Sequence, residues 1–306
     1  MMEANNHRAP PKPLPITIAY LILAHSAPDQ LAHLVHSLPE NSPILIHIDL
    51  RADAEIYERC VELLSDRPKL KFVKRHKCWW GSFGIVEGTI SLIRTLVDDG
   101  TNFDYATLLS GSDYPIKSNS KIAEFLARNR GREFIESFLL TEPNRWSNHA
   151  RNYRTPEKVL RRHFRFRSRV IRLPGSRKML AGLQPYGGSQ WWTLTSEAIA
   201  YVAQFVDASP GFRSFFKQSF IPDESFFQTI ISNSYLVNRV TGDNLRLVVN
   251  DRCSPPYPAI LKIDDLDMLL SSDKLFARKF DIQRDAAVLQ ALDERNNASG
   301  DSLGTS

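Results

Sequence analysis

Residues 16–49 read ITIAYLILAHSAPDQLAHLVHSLPENSPILIHID, and this stretch decides the fold. Ile16 to Ala24 is an apolar run, interrupted only by Thr17 and Tyr20, that is too short to cross a bilayer and reads as a buried strand. Pro28 to Leu38 places Leu31, Leu34, Val35 and Leu38 on one helical face, and Ile44 to Asp49 is a second strand. Strand, helix and strand in that order open a β-α-β unit.

The alternation continues outward. Ala54 to Leu64 predicts a helix, Leu70 to Val73 a short strand, Gly84 to Val97 a long helix, Ala106 to Leu109 a strand and Phe134-Ile135 another. The fold class expected is therefore α/β: a mostly parallel central sheet flanked by helices, in one domain over residues 16–290. Residues 16–140 form its regular half and 141–290 a less regular one. That second half carries helices at Ser196 to Phe205 and up to Ile231, and a helix-like stretch from Asp264 to Phe280. Residues 1–15, with Pro10, Pro11, Pro13 and Pro15, read as a flexible lead-in, and 291–306 as a polar tail. Ligands of such sheets sit beyond the carboxyl ends of the strands. Here those ends are His47-Ile48-Asp49, Ser110-Gly111-Ser112-Asp113 and Glu136-Ser137, so a nucleotide-type pocket is expected there.

At 306 residues, 42% hydrophobic and 24% charged, the chain is neither disordered, collagenous nor a coiled coil in its main character. Cys60, Cys78 and Cys253 are odd in number and widely spaced, which argues against a disulfide framework or structural zinc. The first residues lack a signal-peptide pattern, so a cytoplasmic placement with no transmembrane anchor is expected. Net charge is +5, and twelve Lys and Arg lie between Arg145 and Lys178 against one acid, Glu157. Such a belt implies an anionic partner: phosphate, acidic polysaccharide, phospholipid headgroups or nucleic acid. Only Tyr153, Phe164 and Phe166 interleave with the cations, so nucleic acid is not expected. The commonest phosphate-loop, dinucleotide, zinc-protease and serine-hydrolase motifs are all missing from the sequence.

Six blocks occur in order: Asp49 after Ile46-His47-Ile48, Trp80-Gly81-Ser82, Leu109 to Lys117 with Ser110-Gly111-Ser112-Asp113, Gly188-Ser189-Gln190-Trp191-Trp192, Pro222-Asp223-Glu224-Ser225 and Leu275 to Asp281. Together they resemble the core-2/I-branching β-1,6-N-acetylglucosaminyltransferase and peptide O-xylosyltransferase family, over roughly residues 16 to 285. The resemblance implies a GT-A-type fold, UDP-GlcNAc or UDP-xylose as donor, inversion at the anomeric carbon, and no metal or other cofactor. It makes Glu224 the catalytic base and Lys279, with Arg278 beside it, the cations that meet the UDP phosphates. It sets Asp49 at the uridine and Asp113 at the donor sugar or ribose, and makes residues 16–140 the nucleotide-sugar half and 141–290 the acceptor and catalytic half. The second basic residue usual in the family falls where this chain reads Ser254-Pro255-Pro256-Tyr257, which leaves Arg252 or Lys262 to substitute. Arg151 and Arg154 lie where family members contact acceptor sugars, and Glu136 joins that set.

The residues can be weighed on their own chemistry. An acceptor hydroxyl is a poor nucleophile unless a carboxylate takes its proton, the task expected of Glu224. The plainer role for Glu224 is a first-turn helix acid, while Asp223 is expected to cap that helix. Without a metal, the charge that builds on a departing UDP must be met by fixed cations. Asp265-Leu266-Asp267 has the letters of a metal motif, but it opens a helix, where acids suit the macrodipole. Sugar faces stack on aromatic rings. Trp80, Trp191 and Trp192 are the candidates, with one indole of each pair, Trp79-Trp80 and Trp191-Trp192, lining a cleft and the other in the core. The function expected is transfer of GlcNAc or xylose to a hydroxyl of a glycan or glycoconjugate, in a bacterial protein that touches the inner membrane face, or an acidic glycan, through residues 145–178. The alternative is a catalytically silent polyanion- or nucleic-acid-binding protein on the same scaffold.

Overall fold

Strand β1 (Ile18–Ala24) serves two cores at once: Ile18, Tyr20, Ile22 and Ala24 enter one, and Ala19 and Leu21 the other. A strand buried on both faces has no use for polar alternation, which explains why Tyr20 is the one break in its apolar run. The computed structural model describes residues 14–146, 155–166, 169–180, 182–250 and 258–301. Beside β1 lie β2 (Ile44–Ile48) and then β3 (Leu70–Phe72) on one side and β4 (Tyr105–Ser110) on the other, all parallel, with Ile22 opposite Ile46 and Leu109. The sheet ends with β11 (Trp192–Thr195), antiparallel to β4, and β6 (Phe134–Ile135), antiparallel to β11. This is a mixed α/β domain with a mostly parallel sheet, in line with the GT-A-type expectation.

The helices take their start signals from the sequence. α1 (Pro28–Ser37) opens on proline, while α4 (Asn119–Arg128) and α6 (Ser196–Ala208) are capped by the hydroxyls of Ser118 and Thr195. With α3 (Gly84–Asp98), α7 (Pro210–Phe216) and α8 (Phe226–Ser232), α6 covers one face of the sheet; α1, α2 (Ala54–Leu63), α4 and α10 (Ala287–Asp301) bury their apolar stripes on the other. α5 (Thr155–Leu160) adds Val159 to the first core. Short ribbons pair β7 (Phe138–Leu139) with β10 (Tyr186–Gly187) and β8 (His163–Phe166) with β9 (Arg169–Arg172).

One expectation for the C-terminal region needs correction. Residues 264–280 are not one helix: α9 (Leu266–Ser271) stops at Ser272, and Phe276–Arg278 forms β13. The buried Phe276 and Ala277 are drawn into a three-stranded sheet between β12 (Arg246–Val248) and β5 (Asp113–Pro115). Helix α10 runs on to Asp301, within the polar segment 291–306, from a base of the buried Val288, Leu289 and Leu292. The second half of the chain thus returns to the strand ends of the first.

Candidate active site

The carboxyl ends of β1, β2 and β4 enclose a cavity of about 390 Å³ that reaches His25, Asp49 and Ser110. It shares Trp80, Ile85, Gln190, Trp191 and Arg278 with a larger cleft of about 1010 Å³ that holds Glu224 and Lys279. The two are compartments of one site.

In the smaller compartment Asp49 is nearly buried, and its Oδ1 accepts the backbone N–H groups of Arg51 (2.9 Å) and Cys78 (3.0 Å). It therefore braces the 76–80 loop from the tip of β2, and Arg51 in turn lies 3.6 Å from the centre of the Trp79 ring. His47 accepts the His76 N–H at 2.9 Å, and burial followed by the neighbouring His76 pushes its pKa down to about 4. Its ring packs closely on Gly88 of α3, where a Cβ would sit 3.0 Å away, tighter than ordinary contact. His25 is also held below its usual range, by burial and then by the charge of Lys279.

The Ser110-Gly111-Ser112-Asp113 turn has a role that sequence reading missed. Asp113 is fully buried and accepts from Ser110 Oγ at 2.6 Å and from Arg278 Nε at 2.9 Å. With no surface left for a sugar, Asp113 does not make the expected donor contact; it aims Arg278, whose guanidinium lies 4.4 Å from the Trp191 ring and faces both compartments. Lys279 follows on the cleft wall. The second basic position stays partly open. Arg252, like Arg151 and Arg154, lies outside the described residues. Lys262 is exposed in a turn, where its N–H is bonded to Asp265, and it lines neither compartment.

Two cleft cations carry no sequence signal. Arg246 opens β12 almost fully buried, donating to the carbonyls of Leu108 (2.9 Å) and Trp192 (3.4 Å), and so bridges β4 and β11 beyond their ladder. Lys274 reaches the cleft paired with Asp243 at 2.7 Å. Nothing in either residue's local pattern separates it from a solvated surface charge.

Glu224 ends a single 3-10 turn, Pro222–Glu224, that follows Ile221 in the left-handed region at φ 49°. A β-branched residue there is strained, and such strain persists only where surrounding structure imposes it. The restraint is visible: the Glu224 carbonyl accepts the Gly188 N–H at 2.9 Å, and Gln228 Nε2 donates to the Ser189 carbonyl at 2.6 Å. Gly188 must be glycine, since a Cβ would fall 1.9 Å from the Glu136 carbonyl oxygen. The Glu224 carboxylate is about one-third exposed and lies 3.2 Å from Lys158 Nζ.

Asp223 does not cap α8. Its side chain bonds no helix N–H, it is 6% exposed, and its Oδ1 has no hydrogen-bond partner. Burial, and then the charge of Glu224, pushes its pKa up to about 7. Two adjacent carboxyl groups in different surroundings, one buried and one partly exposed, thus border the cleft.

In the Trp191-Trp192 pair one indole faces the cleft and the other the core, whereas in the Trp79-Trp80 pair neither indole is core. Trp191 is nearly buried yet walls both compartments, and Trp80 is 66% exposed at the mouth with its edge on Phe220. Trp192 is fully buried in the core against Phe227 and cannot meet a sugar. Trp79 is not core but a half-exposed plate under Arg51. Glu136 does reach the cleft, gripped at both oxygens by Arg145 at 2.5 and 2.6 Å. Among the described residues no three His, Cys, Asp or Glu side chains converge as metal ligands. Asp265 instead closes its own turn.

The chain is 30% identical over 91% of its length to xylosyltransferase 2 of Homo sapiens and 27% identical over the same share to xylosyltransferase oxt of Drosophila pseudoobscura pseudoobscura. It spans 33% of the length of each of these relatives. Among solved structures, a nucleoside-diphosphate-sugar pyrophosphorylase from Vibrio cholerae RC9 covers 63% of this chain and 80% of its own at 10% identity, with a TM-score of 0.29, too low to bear on the fold. The Core-2/I-Branching enzyme profile matches residues 18–269, which embrace the β-α-β opening, the strand-end turns and the Pro222–Glu224 turn, and the chain belongs to that family.

Proposed function

We propose that the chain is a UDP-sugar-dependent, inverting glycosyltransferase that needs no metal. The observation that carries this reading is the meeting of Glu224, from the 3-10 turn, with Arg278 and Lys279, from the end of β13, in one cleft that continues into the strand-end cavity. The smaller compartment takes the nucleotide, walled by Asp49, His25 and the loop beyond β2. The diphosphate lies against Arg278 and Lys279, with Arg246 and Lys274 adding positive potential from the floor. Charges fixed by buried partners, such as Arg278 on Asp113, do not have to reorganise as charge develops.

In the transfer step the acceptor oxygen bonds to the anomeric carbon as the bond from that carbon to the β-phosphate oxygen breaks. The bonding pair leaves with UDP, and the acceptor proton passes to the Glu224 carboxylate. Attack from the face opposite the leaving group inverts the configuration. Asp223, holding its proton up to about neutral pH, spares Glu224 a second buried negative charge beside it. The names of the relatives put xylose ahead of GlcNAc as the transferred sugar, and the breadth of the larger cleft suits a hydroxyl carried on a glycan or glycoconjugate.

The test is turnover of UDP-xylose and UDP-GlcNAc in excess EDTA. Activity that survives chelation and falls about 10²- to 10⁴-fold in Glu224→Gln supports the reading. Equal rates for wild type and variant overturn the assignment of the base, and loss of activity in EDTA overturns metal independence.

A further inference from the structure

In the β8–β9 ribbon Phe164 stands opposite Ile171 and His163 opposite Arg172, and the Leu173 N–H continues the ladder to the Arg162 carbonyl at 2.9 Å. Side chains alternate across a strand. Arg162, Phe164, Ile171 and Leu173 therefore share one face, and His163, Arg165, Val170 and Arg172 the other.

The second face is the anchored one. His163 lies 5.4 Å from the Phe220 ring, Arg165 donates to the Trp80 carbonyl at 2.9 Å, and Arg172 donates to Glu157 at 2.8 Å. The first face is open: Phe164, Ile171 and Leu173 are 45%, 38% and 37% exposed, with Arg162 exposed beside them. The Arg162 Nε donates to the neutral Gln218 amide oxygen at 3.0 Å, a partner that does not cancel its charge. A two-stranded ribbon in water ordinarily turns its apolar face to the core and its polar face outward; this one is reversed, inside a segment with twelve cations and one acid.

We infer that the outward face of β8–β9 docks on an anionic phospholipid membrane. Phe164, Ile171 and Leu173 enter the boundary between headgroups and acyl chains, while the surrounding arginines meet the phosphates. A soluble polyanion satisfies the arginines alone and leaves the apolar cluster in water, which is why lipid fits better. Because Arg165 ties the ribbon to the Trp80 rim, docking brings the mouth of the cleft to the lipid surface. Only that consequence for catalysis rests on the transferase reading; docking itself does not.

The experiment is flotation of the full chain with vesicles of phosphatidylcholine alone, or of phosphatidylcholine and phosphatidylglycerol in equal parts. It compares wild type with a Phe164→Ser/Ile171→Ser double variant, whose changes lie on an exposed face; coincident thermal unfolding checks the fold. The expected result is flotation only with the anionic vesicles, weakened by salt, and a loss of about tenfold or more in the double variant. Equal flotation of the two proteins overturns the proposal, because charge alone would then suffice. Failure of wild type to float, or binding to heparin or nucleic acid in place of vesicles, overturns it as well.

Discussion

At the residue scale the site depends on which side chains are buried and what they bond. Asp223 gives a pH prediction whose sign is fixed by its raised pKa. Between its ordinary value of 3.8 and about 7 the folded protein holds a proton that the unfolded chain has lost, so stability falls as pH rises through that window and levels off above it. Asp223→Asn, which never ionises, should unfold at the same temperature as wild type near the ordinary carboxylate pKa and higher than wild type above pH 7. A variant that destabilises equally at every pH would contradict this. The tryptophans give a second contrast: Trp192→Ala should cost about 3–5 kcal/mol in denaturant unfolding as a core truncation, and Trp80→Ala less than about 0.5 kcal/mol while weakening sugar binding. The motifs marked Glu224, Lys279, Trp80 and Trp191, and the structure gathers these at the cleft. The same motifs did not show that Asp113 is fully buried or which tryptophan of the Trp191-Trp192 pair is core, since a residue type and its neighbours do not reveal which way a side chain turns or what it finds there. Lys158, Arg246 and Lys274 were invisible because their partners are contributed by remote segments.

At the element scale the strand-end turns form a scaffold in which glycine is a steric necessity. Gly188→Ala should displace the Glu136 carbonyl or the Pro222–Glu224 turn, so turnover should drop by at least about tenfold even where circular dichroism shows the helices intact. Wild-type turnover in that variant would show that the contact between Gly188 and Glu224 positions nothing. The β-α-β opening could be read because each element has an unambiguous period or a nearly continuous apolar run. Residues 264–280 could not: Leu275 to Ala277 form a short apolar run that fits a helix or a strand equally, and their pairing with β12 and β5 decides the matter.

At the scale of the whole molecule the cleft exists because the chain returns. β5 leaves the first half directly after the β4 turn, and β13 comes back more than a hundred residues later to pair with it, carrying Arg278 to Asp113. α8 and its preceding turn are locked to the segment before β11, which brings Glu224 to the same opening. Each of the two halves read from the sequence supplies residues to both compartments. No helix among the described residues is long and apolar enough to cross a membrane.

The division of labour within the cleft is open to calorimetric titration of UDP, in EDTA, into wild type, Lys279→Met and Glu224→Gln. Lys279 is the better probe than Arg278, whose removal would leave the buried Asp113 unpaired. The cation variant should bind UDP at least about tenfold more weakly, and the carboxylate variant as tightly as wild type. UDP affinity that is unchanged in Lys279→Met, or abolished by chelation in wild type, would contradict a metal-free cation cradle facing a separate base.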